Sequence, residues 1–549
     1  MNVNIEPFEI EVKTRRGITV RADVYLPGGG KGPFPVLLAA SPYQKTFLRR
    51  LPANWVFPFM EYGPVQMYLD NGYAYVAMDV PGSGRSEGDW DPVSREEGEA
   101  IYDTIEWIAQ QSWSTGKLGM IGQSYYCWSQ WNAARTRPPH LTTIVAYDGA
   151  CDMYRDWMYQ GGIPVTGFLG AWMMGAVMLQ HQAEGLGIKG GNRHLALPDM
   201  LSHPFDDEWQ RRRSPYWELD KVDIPVFSIG VWGKATLHLR GNVMGYERVR
   251  GPKQLLITHP QTWQAAQALF EDEKFHKREI LPWYEHHLKG VSNDVMTRPK
   301  VRFFVNGEDQ YRSAESWPPP DVRPASYYLS GAKSGVVKSL NDGSLVEEKA
   351  TEIQDDALPM AAQESTSWSY PDPMWNAGTT TFDANGVPDH IARVNTFTSA
   401  PFEREREFTG HGALVLHASS DQKDFEVMVK VQILSPGPHG MRARKVTQGW
   451  LRASHRAEDP SQTQEMRPFH DHRKADPVEP GTIYELRVEL LPMSFLVRQG
   501  ERLRLEISNY DSQIVDQPMT HFYGQKVGCD TYCHDAAHPS RLLLPARRS

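Results

Sequence analysis

The chain opens with period-two alternation in "ITVRADVYLP" and then changes to continuous apolar runs, "PVLLAASPY" (Pro35 to Tyr43) and "YAYVAMDV" (Tyr73 to Val80). Unbroken runs of this length predict strands buried on both faces, as in a parallel sheet. "REEGEAIYDTIEWIAQQ" follows, with Ile101, Ile105 and Ile108 at helical spacing and acids in its first turn, which predicts a helix. A strand at Lys117 to Ile121, a helix beyond Ser124 and a strand at Leu141 to Ala146 continue the alternation. Strands separated by helices predict a mostly parallel sheet. From Cys151 to about Lys221 the strand pattern stops, and "GAWMMGAVMLQHQAEG" and "DDEWQRRRSPYWELDKV" predict helices over the sheet. The sheet resumes at "IPVFSIGVW" and "QLLITHP", followed by the helix "EKFHKREILPWYEHHLKG". After Gly290 short alternating strands are divided by Pro, Gly and Asp clusters, the signature of a sandwich or jelly roll. Lys338 to Asn395, polar and Pro-rich, reads as a surface linker. The expected fold is α/β: a core over 1–150 and 222–295, an inserted helical cap over 151–221, and a jelly-roll β domain over 296–549.

Composition narrows the function classes. A net charge of −9 lacks the basic footprint of nucleic-acid binding. No apolar run approaches the ~20 residues that span a bilayer. The N-terminal stretch "MNVNIEPFEIEVKTRRG" lacks the parts of a secretory signal. Four unevenly placed cysteines (Cys127, Cys151, Cys529, Cys533) do not make a disulfide framework, and a reducing cytoplasm is expected. Two His-containing clusters, "GCDTYCHD" and "HDHRKADP", lack the second ligand pair of a metal site, so no metal is expected. Seventeen tryptophans and 23 tyrosines are expected mostly to fill cores, with some lining a pocket.

The chemistry centres on "KLGMIGQSYYCWSQWNAA", Lys117 to Ala134. Ser124 follows a buried strand and precedes a helix, the setting of a strained elbow that exposes a nucleophilic hydroxyl. The helix N-terminus beneath it favours developing negative charge. The usual elbow has glycine two positions after the serine; here that position is Tyr126. A serine nucleophile needs a base and an oxyanion hole. His259, directly after the apolar strand of "LLITHPQTW", is the best-placed histidine. The Tyr125 amide is one expected oxyanion donor, and Tyr43, at the end of its strand, is a candidate for the second.

The order "DVPGSGRSEG", "YDTIEWIAQQSWSTGKLGMIGQSYYCWSQWNAA", "RPPHLTTIVAYDGACDMYRD", "HHLKG", with "QGWLRASHR" and "HPSRLLLP" near the end, resembles the cocaine esterase and X-prolyl dipeptidyl peptidase family. The resemblance runs over almost the whole chain. It implies an α/β-hydrolase core, a helical cap and a C-terminal jelly roll, with acyl transfer to water through a serine and no cofactor. The family's nucleophile falls on Ser124, its oxyanion tyrosine on Tyr43 and its backbone donor on Tyr125.

The family's acid does not carry over. Its place is Gly233 or Lys234, and no Asp or Glu occurs between Ile224 and Gly245. A lysine beside the histidine would oppose imidazolium formation. Three arrangements remain open. Asp148 supplies the carboxylate from another strand, Lys234 acts as a neutral base, or the machinery supports a slower or different reaction. The expected function is a serine hydrolase acting on a small apolar ester or amide through an acyl-enzyme. Acyl transfer or carbon-skeleton cleavage at the same serine, and a non-catalytic binding protein, are the alternatives. A small-molecule partner is expected and neither nucleic acid nor membrane; a homo-oligomer is left open.

Overall fold

The computed structural model describes residues 3–48, 61–173, 196–336, 342–351, 358–361, 394–438, 440–509, 511, 519–521 and 528–547. Its first sheet is built from β1 (Phe8–Lys13), β2 (Thr19–Tyr25), β3 (Phe34–Ser41), β4 (Ala74–Asp79), β5 (Ser114–Met120) and β6 (Leu141–Tyr147). A short hairpin intervenes, β7 (Tyr159–Gln160) with β8 (Ile163–Pro164). The sheet then continues with β9 (Val226–Val231), β10 (Lys253–Thr258), β11 (Val301–Val305) and β12 (Gln310–Ala314). The order across the sheet is β1-β2-β4-β3-β5-β6-β9-β10-β11-β12. The strands from β4 to β11 run parallel. β3, β4, β6, β9 and β10 are almost wholly buried, which is why they read as apolar runs rather than alternation. Helices α1 (Val65–Asp70), α2 (Arg95–Ala109) and α3 (Tyr125–Thr136) connect the first half.

The first sheet passes the boundary expected at 296. Val301–Val305 adds in parallel to β10, pairing Leu255 with Val301, and Gln310–Ala314 closes the edge as a hairpin. The run "VRFFV", read as the start of the β domain, therefore belongs to the α/β core. Alternation in a strand records one buried and one open face, and an edge position in an α/β sheet meets that condition too. Among the described residues the C-terminal domain is an 11-stranded all-β unit. Arg406–Ser420 pairs with Tyr484–Val497, Cys529–Cys533 and Arg541–Arg547, and Glu426–Gly437 pairs with Gly440–Arg452 and Arg502–Ser508. Phe408, Leu416, Val429, Leu505 and Leu544 meet in its core. The expected surface linker holds two strands, Asp342–Val346 and Leu358–Ala361; much of the rest of it lies outside the described residues. So does most of the helix expected at "GAWMMGAVMLQHQAEG".

The segment over the sheet is tied to the β domain by buried polar contacts. Arg155 pairs with Asp152 and Asp206, each at 3.0 Å, and donates to the His470 carbonyl at 2.9 Å. The Arg452 amide donates to the Gly161 carbonyl at 2.8 Å.

The loop after β3, which carries Tyr43, is anchored by a buried cation. Lys45 Nζ lies 2.7 Å from Asp23 on β2 and 2.7 Å from Glu9 on β1, while its amide donates to Asp79 at 2.6 Å. Removing one partner of a buried ion pair leaves the other charge desolvated, at about 3–5 kcal/mol. Lys45→Met is expected to lower unfolding free energy by about that amount in urea titration. A surface substitution such as Lys117→Met is expected to change it by less than about 0.5 kcal/mol.

Candidate active site

Ser124 occupies the turn between β5 and α3 with φ 62° and ψ −117°. A non-glycine residue in this region is strained, and the surroundings hold it there. Its amide donates to the Asp148 carbonyl at 3.0 Å, and its own carbonyl accepts from Cys127 and Trp128. With tyrosine at position 126, the room is made by Gly122, where a Cβ would sit 2.3 Å from the Tyr126 Cβ. A second close approach lies on the neighbouring strand end, where a Cβ on Gly149 would sit 2.4 Å from the Cys127 Cβ and 3.0 Å from the Ser124 carbonyl oxygen.

Asp148, which ends β6, also has a positive φ of 51°. Its amide donates to Ile229 on β9 at 2.7 Å, so both sides of its peptide are locked to neighbouring strand ends. The carboxylate is fully buried and meets three groups: Gln123 Nε2 donates to Oδ2 at 2.7 Å, Lys234 Nζ lies 3.2 Å from Oδ2, and His238 Nδ1 lies 3.2 Å from Oδ1. Burial raises the carboxyl, but Lys234 and His238 outweigh it and hold it at about 2.

His238 lies in the turn of helix Ala235–Leu239 beyond β9 and is fully buried. Its Nε2 is 3.4 Å from Ser124 Oγ. A close approach just beyond it brings imidazole and carboxylate together. At Gly241 a Cβ would sit 2.5 Å from Ala150 Cα, so helix Arg240–Arg248 lies directly on the segment that follows Asp148. Asn242 fastens the contact: it accepts from the Gly149 amide at 3.0 Å and donates to the Ala146 carbonyl at 2.8 Å. Burial pushes the His238 imidazole below the ordinary histidine value; Asp148 pulls it back up and Lys234 pushes it further down.

Tyr43, whose hydroxyl is influenced by Ser124, packs its ring edge-on 6.1 Å from that of Tyr125, the residue after the nucleophile. Trp172, from the cap, donates Nε1–H to the Tyr43 hydroxyl at 2.9 Å. A hydroxyl that accepts from Trp172 keeps its own proton for donation. The Tyr125 amide is the first of α3 and so has no intrahelical acceptor. The Tyr125 ring is pinned by its hydroxyl, which donates to Glu97 at 2.7 Å and accepts from the Val93 amide at 3.1 Å. Glu97 sits three residues after the cap residue Ser94 and turns inward to hold this ring. Glu61, just before α1, has a buried carboxyl; burial pushes it up to about 8, with Lys234 opposing, Asp148 adding and Ser124 lowering it slightly. Aromatic rings wall the site: Trp128 packs edge-on to His238 at 5.8 Å and stacks on Trp157 at 4.8 Å, and Trp172 stacks on Tyr125 at 6.0 Å.

The structure thus brings Ser124, Tyr43 and Tyr125 together and does not bring His259 to them. His259 is exposed at the end of β10, 3.1 Å from the Tyr311 hydroxyl. Its loop packs instead on the backbone after β9, where the Gly233 amide donates to the Pro260 carbonyl at 2.7 Å. His238 takes the place beside Ser124. The signal for it was a histidine inside "WGKATLHLRGN", the segment where an acid was sought. Of the three arrangements left open, the Asp148 carboxylate is the one the geometry matches. Lys234 is ion-paired to that carboxylate.

Two family models cover the chain. The X-Pro dipeptidyl-peptidase S15 model matches residues 16–262, and the non-catalytic C-terminal domain model of X-Pro dipeptidyl-peptidases matches residues 293–543. The chain belongs to the cocaine esterase and X-Pro dipeptidyl-peptidase family of serine α/β-hydrolases. It is 25% identical to the cocaine esterase of Rhodococcus sp. over 91% of this chain and 90% of that protein. Its fold matches a CocE/NonD family hydrolase from Staphylococcus aureus at TM-score 0.80 and 22% identity, covering 100% of this chain and 97% of the other. An α-amino acid ester hydrolase matches at TM-score 0.73 and 17% identity, covering 100% of this chain and 98% of the other. Members of this family are hydrolases, and this chain is one.

The opposed influences on His238 give a measurable consequence. In protein labelled at histidine, its imidazole is expected to titrate below the ordinary histidine value. Lys234→Met removes an influence that lowers it, so the midpoint is expected to move up in NMR titration; a downward move or none would contradict the placement of Lys234.

Proposed function

We propose that this hydrolase cleaves a small apolar carboxylic ester or amide through an acyl-enzyme on Ser124, with His238 as base and Asp148 as the carboxylate that orients it. The observation that carries this reading is the continuous line from Ser124 Oγ to His238 Nε2 at 3.4 Å and from His238 Nδ1 to Asp148 Oδ1 at 3.2 Å. The first distance is at the long end of hydrogen-bond reach, and such contacts tighten in the substrate complex. As Ser124 Oγ bonds to the carbonyl carbon, its proton passes to His238 Nε2 and the carbonyl electron pair moves to oxygen. Tyr43 and the Tyr125 amide receive that charge in a site walled from water. Collapse expels the alcohol or amine, which takes the proton from His238, and water repeats the sequence to release the acid.

An apolar substrate is favoured because the groups around the serine are mainly tryptophan and tyrosine rings, which bind apolar acyl or aryl groups through area and stacking. Because the four cysteines are free thiols, a cytoplasmic location is part of the same reading.

A fluorophosphonate probe is expected to label Ser124 and to leave Ser124→Ala unlabelled. Asp148→Asn and His238→Gln are each expected to lower kcat on an aryl ester by about 10³–10⁴, whereas His259→Ala is expected to stay within about twofold. Full activity in Ser124→Ala, or a collapse in His259→Ala with His238→Gln intact, would replace this reading.

A further inference from the structure

The proposed reaction uses Ser124, His238, Asp148, Tyr43 and the Tyr125 amide, and leaves Glu61 unassigned. Its position is unusual for a carboxyl. It is 5% exposed, Ser124 is among the groups that act on its carboxyl, and its Oε2 is buried with no hydrogen-bond partner among the described residues. Its backbone is fixed too, since the Gln123 amide of the elbow donates to the Glu61 carbonyl at 3.0 Å. The Glu61 backbone is therefore held to the elbow. Tyr43 and Glu61 are electrostatic neighbours beside the same serine.

We propose that Glu61 is a further catalytic residue, a carboxylic acid whose O–H donates a third hydrogen bond to the oxyanion that forms on the substrate carbonyl beside Ser124. This rests on the serine-hydrolase reading above. The groups that face Glu61 decide its form. Lys234 is the cation near it, but that ammonium lies 3.2 Å from the Asp148 carboxylate, and Asp148 is joined to His238 on its other oxygen. The lysine and aspartate charges cancel, so a second buried carboxylate has no counter-ion of its own. Tyr43, Tyr62 and Ser124, the other groups against it, are neutral. A neutral carboxyl held by burial offers an O–H donor where an ionised one would repel the developing charge. The step balances without moving the Glu61 proton. Ser124 Oγ–C forms, the serine proton goes to His238, the carbonyl pair goes to oxygen, and Glu61 keeps its O–H as it donates.

The test is the pH dependence of kcat/KM on p-nitrophenyl butyrate between about pH 5 and 10. The rate is expected to rise as His238 loses its proton and to fall with a midpoint near 8 as Glu61 ionises. Glu61→Gln cannot ionise and donates more weakly. It is expected to lose about tenfold at neutral pH and to lose the alkaline fall altogether. Glu61→Leu, which removes the donor, is expected to lose about 10²-fold. A packing role would lower both variants without moving the alkaline limb. If the alkaline limb persists in Glu61→Gln while Ser124 still labels with fluorophosphonate, the assignment of Glu61 fails and the serine reading stands. If the wild-type rate instead climbs through pH 8 and Glu61→Gln removes a preference for esters bearing a free amine, Glu61 is an anionic anchor and the proposal is overturned. Absence of labelling at Ser124 in the wild type would overturn both.

Discussion

Asp148 binds two strand ends and two chemical groups through a single residue. Its carbonyl accepts from the Ser124 amide, its amide donates to Ile229, and its carboxylate faces His238 and Lys234. This requires a left-handed backbone at a non-glycine residue, a conformation that costs of order 1 kcal/mol or more and persists only where the surroundings over-determine it. Here they do, because the peptide on each side is hydrogen-bonded and the side chain is enclosed. The elbow at Ser124, also left-handed, depends on the same residue. The two strained positions support each other across the carboxyl edge of the sheet.

The electrostatics follow from enclosure. Four ionisable side chains, Glu61, Asp148, Lys234 and His238, are all buried around one hydroxyl. In so poor a solvent for charge, they can be accommodated only if most of the charge cancels. Lys234 and Asp148 cancel each other, His238 is held neutral, and Glu61 is pushed toward its acid form. That leaves a neutral base beside the nucleophile and donors on the opposite side, the polarity acyl transfer needs. Lys234, the residue that seemed to disable the site, is the counter-ion of the acid.

The α/β alternation and the all-β region after it were legible because each writes a period into the chain. The edge strands β11 and β12 pair into the first sheet although they lie within the stretch matched by the C-terminal domain model; alternation reports a half-buried strand without saying whose sheet it joins. The elbow was legible in "GQSYY" even with Tyr126 where glycine is usual, because strand, turn and helix are local. Tyr43 was legible for the same reason, as the end of a strand next to the elbow. His259 was a misreading of the same kind of cue: the end of a buried strand identifies an edge of the sheet but does not say which way the side chain points. Its imidazole turns out toward Tyr311, while His238, hidden in an irregular turn, points in.

The order of residues along the chain determined by itself the buried strands, the helix that starts at Ser124 and the presence of a hydroxyl at that bend, because hydrophobic period and turn chemistry act over a few neighbours. Which histidine and which carboxylate serve that hydroxyl was decided only in three dimensions. Asp148 and His238 lie on different strand ends, and they meet because helix Arg240–Arg248 rests at Gly241 against the backbone beyond Asp148. A contact set by the absence of a single side chain, between segments far apart in the chain, leaves no periodic trace to read.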